Sequence, residues 1–448
     1  MKTKTLLSPL FFLCLVFTLI MPLFVKADSK TRVMTLSIIL DLPIGSDDIN
    51  ILYNKLIDFL TAINYKKWTF VVWDNAFDYW IYNTTRLNTI KQYGEVIPRL
   101  AYMQSYNPID RKNYVDNIFQ IWHDYVGYYP SGIHDYTFPD TYVANYIKTA
   151  YPNVLYYQGV TLDAYKIDYV SALGSWQLPY YHDSGNIMLP KKNGKSLVML
   201  PHVIWDWYAS FTVYQDISTH PIGILNRTYP NNVENARLYF FRLIENNMEA
   251  IEPYAYSTVQ FEWCWLINWH DNEIVEDWIQ TLLTYPYTFT DFKEFSSWFS
   301  LVYDSNPTYT INFLSPYNNE KVEWYWDTDY RIARHNGKVV SYVEYNKQSI
   351  DRYLTTHRSI EWGNPESVIQ ISLNLTINAL GGGLYRSPKT TPPYSYPESL
   401  PLSKFYQNYK LPEKTIQTSF MIILLFTILG LLGIGLLLRH RSKSSFGS

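Results

Sequence analysis

Carboxylate and imidazole side chains recur where the apolar runs of this sequence end. Side chains of these types perform general acid–base chemistry on glycosidic and ester bonds, because each can give or take a proton. The sequence therefore predicts a hydrolytic site in which two carboxylates act as acid and as base or nucleophile. The candidate catalytic residues are Asp41, Asp163, Glu262 and His134.

Glu262 is the candidate that is hardest to explain as a structural residue. It lies in the apolar stretch Phe261–Leu266 (FEWCWL), where an ionised group must be paired, protonated or used in chemistry. The other candidates have structural alternatives. A strand-end aspartate such as Asp41 can cap the following helix, and His134 can be a hydrogen-bonded histidine of the core.

A second set of polar and aromatic residues is a candidate for binding the substrate. Aromatic faces in a groove stack on sugar rings, although most aromatic residues of a chain that is 18% aromatic pack in the core. The segment Trp176–His182 (WQLPYYH) contains a proline and follows Gly174, which predicts a loop. The candidate substrate-binding residues are Asp74, Trp176, His202, Asp206 and Trp263.

The elements that must position these residues alternate between strands and helices over residues 28–305. Near-continuous apolar runs, such as Val33–Leu42 and Tyr256–Leu266, predict strands that are buried on both faces. Apolar residues at helical spacing predict helices between them, for example over Asp47–Ile63. This alternation predicts an α/β fold, a (β/α) barrel whose functional residues meet at the C-terminal ends of the strands.

The sequence changes character after the barrel region. Residues 306–385 contain short runs rich in valine, isoleucine, threonine and aromatic residues, which predict a small β-sandwich domain. The turn His335-Asn336-Gly337-Lys338 predicts a hairpin within it. Residues 386–417 are rich in proline, serine, threonine and tyrosine and predict an extended stalk.

Both ends of the chain carry targeting signals. Residues 1–27 combine a basic start, an apolar run and a small residue at Ala27, which predicts a secretory signal peptide, with an uncleaved anchor as the alternative. Residues 418–438 contain the uncharged run Phe420–Leu438, long enough for one transmembrane helix. The basic tail, 439–448, then lies in the cytoplasm. We expect a single-pass cell-membrane protein whose bulk is extracellular.

Charge and cysteine content exclude several classes of protein. The chain has a net charge of -3, and without the two basic ends 31 basic and 40 acidic residues remain. Such a surface repels phosphate backbones, so a nucleic-acid partner is not expected. Cys264 is the one cysteine outside the signal segment, so no internal disulfide can form. Sequons at Asn83, Asn226 and Asn374 are compatible with glycosylation of an exported chain.

Three stretches together resemble the glycoside hydrolase/polysaccharide deacetylase superfamily of distorted (β/α) barrels. They are the strand end Leu40-Asp41-Leu42-Pro43, the segment Phe261-Glu262-Trp263 followed by His270, and Thr290–Phe299 (TDFKEFSSWF). The resemblance covers residues 32–304 and implies a carbohydrate-active hydrolase. Deacetylases of this superfamily hold a divalent metal through an Asp-Asp pair and a His-x-x-x-His motif.

This sequence departs from that metal motif. Asp41 is followed by Leu42, and none of the nine histidines forms an i, i+4 pair. We therefore expect neither a metal nor another cofactor, and a glycosidase-like mechanism that uses two of Asp41, Asp163 and Glu262.

The sequence leaves three classes of function open. The first is a surface hydrolase of polysaccharide or surface glycans, with a glycan substrate. The second is a non-catalytic glycan-binding protein on the same barrel, and the third is a structural or adhesive surface protein. The oligomeric state does not follow from the sequence.

Overall fold

The computed structural model describes residues 30–42, 48–100, 108–135, 141–159, 178–208 and 218–344. Several predictions fall outside the described residues and stay predictions. They concern the signal peptide, Asp163, Trp176, residues 345–385, the stalk, the transmembrane helix and the basic tail.

Strands of the described residues form two sheets. In chain order they are β1 (Arg32–Leu40), β2 (Trp68–Trp73), β3 (Gly94–Leu100), β4 (Gly132–Asp135), β5 (Tyr156–Gly159), β6 (Tyr180–Asp183), β7 (Asn186–Pro190), β8 (Val198–Leu200), β9 (Ile251–Glu252), β10 (Ala255–Glu262), β11 (Thr288–Thr290), β12 (Tyr309–Leu314), β13 (Lys321–Trp326), β14 (Tyr330–His335) and β15 (Lys338–Glu344).

The first sheet is mostly parallel and has the strand order β10-β1-β2-β3-β4-β5-β8-β6-β7, with β11 also paired to β1. Its middle strands are buried on both faces, as the apolar run of β1 requires. The Gln260 side chain on β10 donates a hydrogen bond to Gln158 on β5 at 3.2 Å. In a flat sheet, five strand spacings would separate these residues by about 24 Å. The sheet is therefore curled like a partial barrel, with both glutamines on its inner face.

Helices cover the outer side of the curled sheet. The first of them begins at Asp48, whose side chain accepts from the Asn50 N–H, and ends at Asn64 in the left-handed conformation. Its buried face includes Leu56 and Phe59. In chain order the helices are α1 (Ile49–Ile63), α2 (Phe77–Trp80), α3 (Thr84–Ile90), α4 (Pro108–Val126), α5 (Thr141–Ala150), α6 (Pro221–Gly223), α7 (Val233–Ala250), α8 (Trp263–Asn268), α9 (Asn272–Leu282) and α10 (Phe292–Val302).

The second sheet is antiparallel, with the order β15-β14-β13-β12-β9. Its β14–β15 hairpin turns at Asn336 and Gly337, both with positive φ, which confirms the predicted turn. The Trp324 indole N–H donates to the Trp207 carbonyl at 3.2 Å, so this sheet packs directly on the barrel region. The described residues contain this one sheet of the predicted sandwich, and the predicted boundary at residue 306 stays a prediction.

Two local predictions were wrong. The strand predicted over Tyr256–Leu266 ends at Glu262, and Trp263–Asn268 is a helix. An uninterrupted apolar run has no periodicity that separates a buried helix from a strand. The loop predicted over Trp176–His182 contains β6, because Tyr180 and Tyr181 pair with β8. No helix of the described residues is long and apolar enough to cross a membrane.

Candidate active site

A row of side chains crosses the inner face of the curled sheet where its strands end. Strand register aligns Trp73 with Arg99, Arg99 with His134, and His134 with Gln158. Asp41 directly follows Leu40, which is aligned with the residue before Trp73. Residues at the same level of a parallel sheet point to the same face. The candidate residues on β1 and β4 therefore meet at the C-terminal edge, where barrel enzymes carry their sites.

Glu262 joins this row from the neighbouring strand β10. It is aligned with Ile39, two residues before Asp41, so the carboxyls of Glu262 and Asp41 project from the same face of adjacent strands. Strand geometry places their Cα atoms about 8 Å apart. The two carboxyls also interact electrostatically, since the charge of Glu262 raises the pKa of Asp41.

Asp41 is a buried carboxyl that is hydrogen-bonded to backbone groups of Asp41 itself and of Cys264. It is 4% exposed, and its Oδ1 has no hydrogen-bond partner within the described part of the chain. Its backbone carbonyl accepts from the Trp80 indole at 3.4 Å and from the Cys264 thiol at 3.5 Å, which fixes the main chain. Burial, followed by the charge of Glu262, raises the pKa of Asp41 to about 7. At neutral pH this group can therefore donate a proton.

Glu262 has the opposite environment, because a histidine holds it. The Gly223 N–H donates to Nδ1 of His220 at 3.0 Å, so the ring proton is on Nε2. That Nε2 donates to Oε2 of Glu262 at 3.0 Å. Burial alone raises the pKa of Glu262. The hydrogen bond from His220 and the electrostatic effects of His220, His202 and Arg99, in that order, outweigh burial and lower the pKa below its usual value. Glu262 is therefore ionised at neutral pH.

Arg99 places a buried positive charge beside both carboxyls. It is 1% exposed, and its guanidinium carbon lies 3.8 Å from the centroid of the Trp73 ring, a cation–π contact. Its charge lowers the pKa values of Asp41 and Glu262. Because Arg99 stays protonated in proteins, it stabilises the ionised form of Glu262 throughout the physiological pH range.

Two further predicted residues, His134 and His202, lie against each other at this edge, with ring centroids 4.9 Å apart and ring planes tilted by 57°. Burial is the main cause that lowers the pKa of His202 to about 3 and that of His134 well below its usual value. Both imidazoles are therefore neutral at pH 7. They can donate and accept hydrogen bonds, but they supply no positive charge to the site.

The remaining predicted site residues are dispersed. Asp74 directly follows Trp73, the last residue of β2, and accepts from the Asn75 N–H at 2.9 Å and from the Tyr114 hydroxyl. Arg99 acts on it electrostatically, so Asp74 lies near the row.

Asp206 and Trp263 are not at the site. Asp206 accepts from the Ser315 hydroxyl at 2.7 Å and ties the barrel to the second sheet. Trp263 is fully buried and donates to the Leu52 carbonyl at 2.9 Å, on the helix side of the sheet. Both therefore have structural contacts, and their predicted substrate-binding role stays a prediction.

Arg99 and His220 were missed by sequence reasoning. An arginine inside the apolar strand end Gly94–Leu100 was a usable signal, because a buried cation needs a partner. His220 gave no comparable signal. His220 and Glu262 are 42 positions apart in the sequence. Their contact forms only because the fold brings His220 to the end of β10.

The divalent metal that the superfamily resemblance implies would need a cluster of ligating side chains. Among the residues that the structure describes, no group of three histidine, cysteine, aspartate or glutamate side chains is arranged to hold a metal ion. The described groups that can take part in acid–base chemistry at this edge are the carboxyls of Asp41 and Glu262.

Comparison with known proteins gives structural neighbours of low similarity. No family model and no curated protein matches the chain. The chain is similar to a solved putative polysaccharide deacetylase from Mycobacterium smegmatis, at 11% identity and a TM-score of 0.41, with 61% of this chain and 92% of the other covered. It is also similar to an allantoinase, at 10% identity and a TM-score of 0.40, covering 62% and 93%.

A probable polysaccharide deacetylase from Pseudomonas aeruginosa is a third neighbour, at 11% identity and a TM-score of 0.40, covering 61% and 93%. Two of these three neighbours are named as polysaccharide deacetylases, the kind of enzyme that gives its name to the superfamily that the sequence resembles. Similarity at this level carries no argument about chemistry, so the function rests on the geometry of the site.

Proposed function

We propose that this protein is a hydrolase of glycosidic bonds in polysaccharide or surface glycans, with Asp41 and Glu262 as its paired carboxyls. One observation carries the proposal. The two carboxyls lie at the ends of adjacent parallel strands, and their environments push their pKa values in opposite directions. Such a difference in pKa allows a glycosidase to keep one carboxyl protonated as the acid and the other ionised as the carboxylate.

Each residue then has a defined task. Asp41 donates its proton to the oxygen of the leaving sugar as the glycosidic bond breaks. The Glu262 carboxylate attacks the anomeric carbon or takes a proton from the water that attacks it. His220 holds the Glu262 carboxylate in place, and Arg99 keeps it ionised. His134 and His202 line the site as neutral hydrogen-bonding groups.

The site is proposed to work outside the cell. The apolar segment at residues 1–27, the uncharged run Phe420–Leu438 and the basic residues after it support a chain anchored by one helix with residues 28–417 exported. Protease treatment of intact cells should then digest most of the chain and leave a fragment smaller than 10 kDa in the membrane. Full protection would reject this orientation.

The test of the function uses the full-length chain in detergent micelles. Neutral polysaccharides, acetylated polysaccharides and chromogenic glycosides are incubated with and without a chelator, and both reducing ends and released acetate are measured. We expect new reducing ends that appear equally with the chelator. Acetate release that the chelator abolishes would instead identify a metal-dependent deacetylase. Binding without any product would identify the non-catalytic glycan-binding alternative.

A further inference from the structure

Trp265 differs from the other tryptophans that the structure describes. It is 42% exposed, more than any other tryptophan that the structure describes. Trp269, one helical turn later, is half-buried, and its ring centroid lies 5.3 Å from that of Trp265. The two indoles thus form a continuous aromatic surface, which we name the Trp265/Trp269 surface. Exposed large aromatic surface of this kind is typical of binding sites.

This surface adjoins the candidate active site. Helix α8 begins with the residue after Glu262, and Trp265 lies in its first turn. The Cα atoms of Glu262 and Trp265 are therefore about 5 Å apart. The Trp265/Trp269 surface and Glu262 therefore belong to one short stretch of chain at the C-terminal end of β10.

The backbone that carries the two indoles is held in place by packing. Trp263, Cys264, Leu266 and Ile267 are buried beneath them. Helix α8 ends at Asn268. Two residues later His270 has a positive φ of 58° and donates its N–H to the Ile267 carbonyl at 3.1 Å. Rigid aromatic groups lose little conformational entropy when they bind a ligand.

The area of the Trp265/Trp269 surface indicates which class of ligand it can bind. Two fully exposed indoles would offer at most about 500 Å², and these two are partly buried. A stable protein partner requires about 800 Å² on each side. The ring of a sugar matches an indole face, because its axial C–H groups meet the negative face of the ring.

We propose that the Trp265/Trp269 surface is a sugar-binding subsite that holds a ring of the glycan adjacent to the bond broken at Asp41 and Glu262. The inference rests on the proposed function and deepens it, since it makes the substrate an oligosaccharide chain that extends beyond the reacting sugar. The exposed residues beside the indoles are Asn268 and His270, which can form hydrogen bonds with sugar hydroxyls.

The test measures binding and turnover separately in the full-length chain. Dissociation constants for chitohexaose, mannohexaose and maltohexaose are measured by isothermal titration on a Glu262→Gln background. We expect at least one hexaose to bind and Trp265→Ala to weaken it at least tenfold, with Trp265→Phe recovering part of the loss. Tyr125→Ala, which removes a 47% exposed ring elsewhere, is the matched control and should change nothing.

The outcomes separate the two proposals. Hexaose binding that depends on Trp265, with no turnover by the wild type, would overturn the hydrolase and leave the subsite standing. Turnover of chromogenic monosaccharide glycosides, with hexaose affinity unchanged in Trp265→Ala, would overturn the subsite alone. A wild-type chain that binds none of the three hexaoses would also overturn the subsite.

Discussion

Two buried carboxyls at opposite edges of the same sheet, Asp41 after the end of β1 and Glu95 at the start of β3, have similar pKa values and different roles. Burial raises the pKa of Asp41 at the C-terminal edge, and that of Glu95 at the N-terminal edge, to about 7 in each case. In both cases the second cause is another carboxylate, Glu262 beside Asp41 and Asp291 beside Glu95.

The contacts of Glu95 are those of a structural residue. It accepts hydrogen bonds of 2.8–3.0 Å from the Thr69, Ser131 and Tyr156 hydroxyls and from the Lys293 N–H. These partners belong to four different parts of the barrel, so one carboxyl joins them. Hydroxyls can accept as well as donate, and the network therefore tolerates protonation of Glu95.

Asp41 has a smaller set of partners, the backbone groups of Asp41 itself and of Cys264. Its Oδ1 finds none among the described residues, and the carboxyl faces the ionised Glu262. A raised carboxyl pKa therefore indicates burial in the first place. It supports a catalytic role only where the carboxyl also has an oxygen without a hydrogen bond and lies at the C-terminal edge of the sheet.

Glu262→Gln gives the largest expected effect on activity, because the amide can neither attack a sugar nor accept a proton. We expect turnover to fall by about 10³-fold or more. Steady-state hydrolysis of a reactive glycoside measures it. Glu320→Gln, on the second sheet, is the matched control and should retain full activity. Equal activity in the two variants would remove Glu262 from the mechanism.

Asp41→Asn is expected to lower turnover by about 10²-fold. The pH profile is the sharper readout. Because the acid must be protonated, wild-type activity should fall as pH rises through about 7, the pKa of Asp41. That alkaline limb should disappear in Asp41→Asn, which cannot ionise. A limb that persists unchanged would assign the acid to another group.

His220→Ala should lower turnover by about tenfold, because it removes the hydrogen bond that positions and stabilises the Glu262 carboxylate. Without that bond the pKa of Glu262 rises, so the acidic limb of the pH–rate profile should move to higher pH. A loss of turnover with an unmoved acidic limb would indicate that His220 acts only on packing.

Glu95→Gln gives the smallest expected effect on activity, within about twofold, and its effect appears in stability. The folded state of the wild type holds a proton on Glu95 that the unfolded state releases above pH 4.5. Stability should therefore fall with rising pH, by about 1.4 kcal/mol per pH unit between about pH 5 and 7 from this group. Thermal unfolding of Glu95→Gln should show a weaker pH dependence, and an unchanged one would contradict the shifted pKa.

Most of the strands were predictable from the sequence. So were two residues of the site, Asp41 and Glu262. The apolar run Trp68–Trp73 forms the strand expected of it, and the ends of β1 and β10 carried Asp41 and Glu262 as candidates. These signals are local, because a strand that is buried on both faces consists of a nearly continuous run of apolar residues.

The long-range part of the site could not be predicted. The Gln158–Gln260 contact and the His220–Glu262 contact depend on how far the sheet curls, which no short pattern encodes. The same holds for the separation of Asp206 and Trp263 from the site. Their residue types fitted a substrate-binding role, and only the fold shows that Asp206 joins the two sheets.

Chemical rescue tests the central claim most directly. The full-length Glu262→Ala chain is incubated with a reactive chromogenic glycoside, with and without sodium azide, beside Glu320→Ala. If Glu262 delivers the nucleophile, azide should restore turnover in Glu262→Ala alone and produce a glycosyl azide detectable by mass spectrometry. Full activity of Glu262→Ala without azide would contradict the claim that the Asp41–Glu262 pair breaks glycosidic bonds.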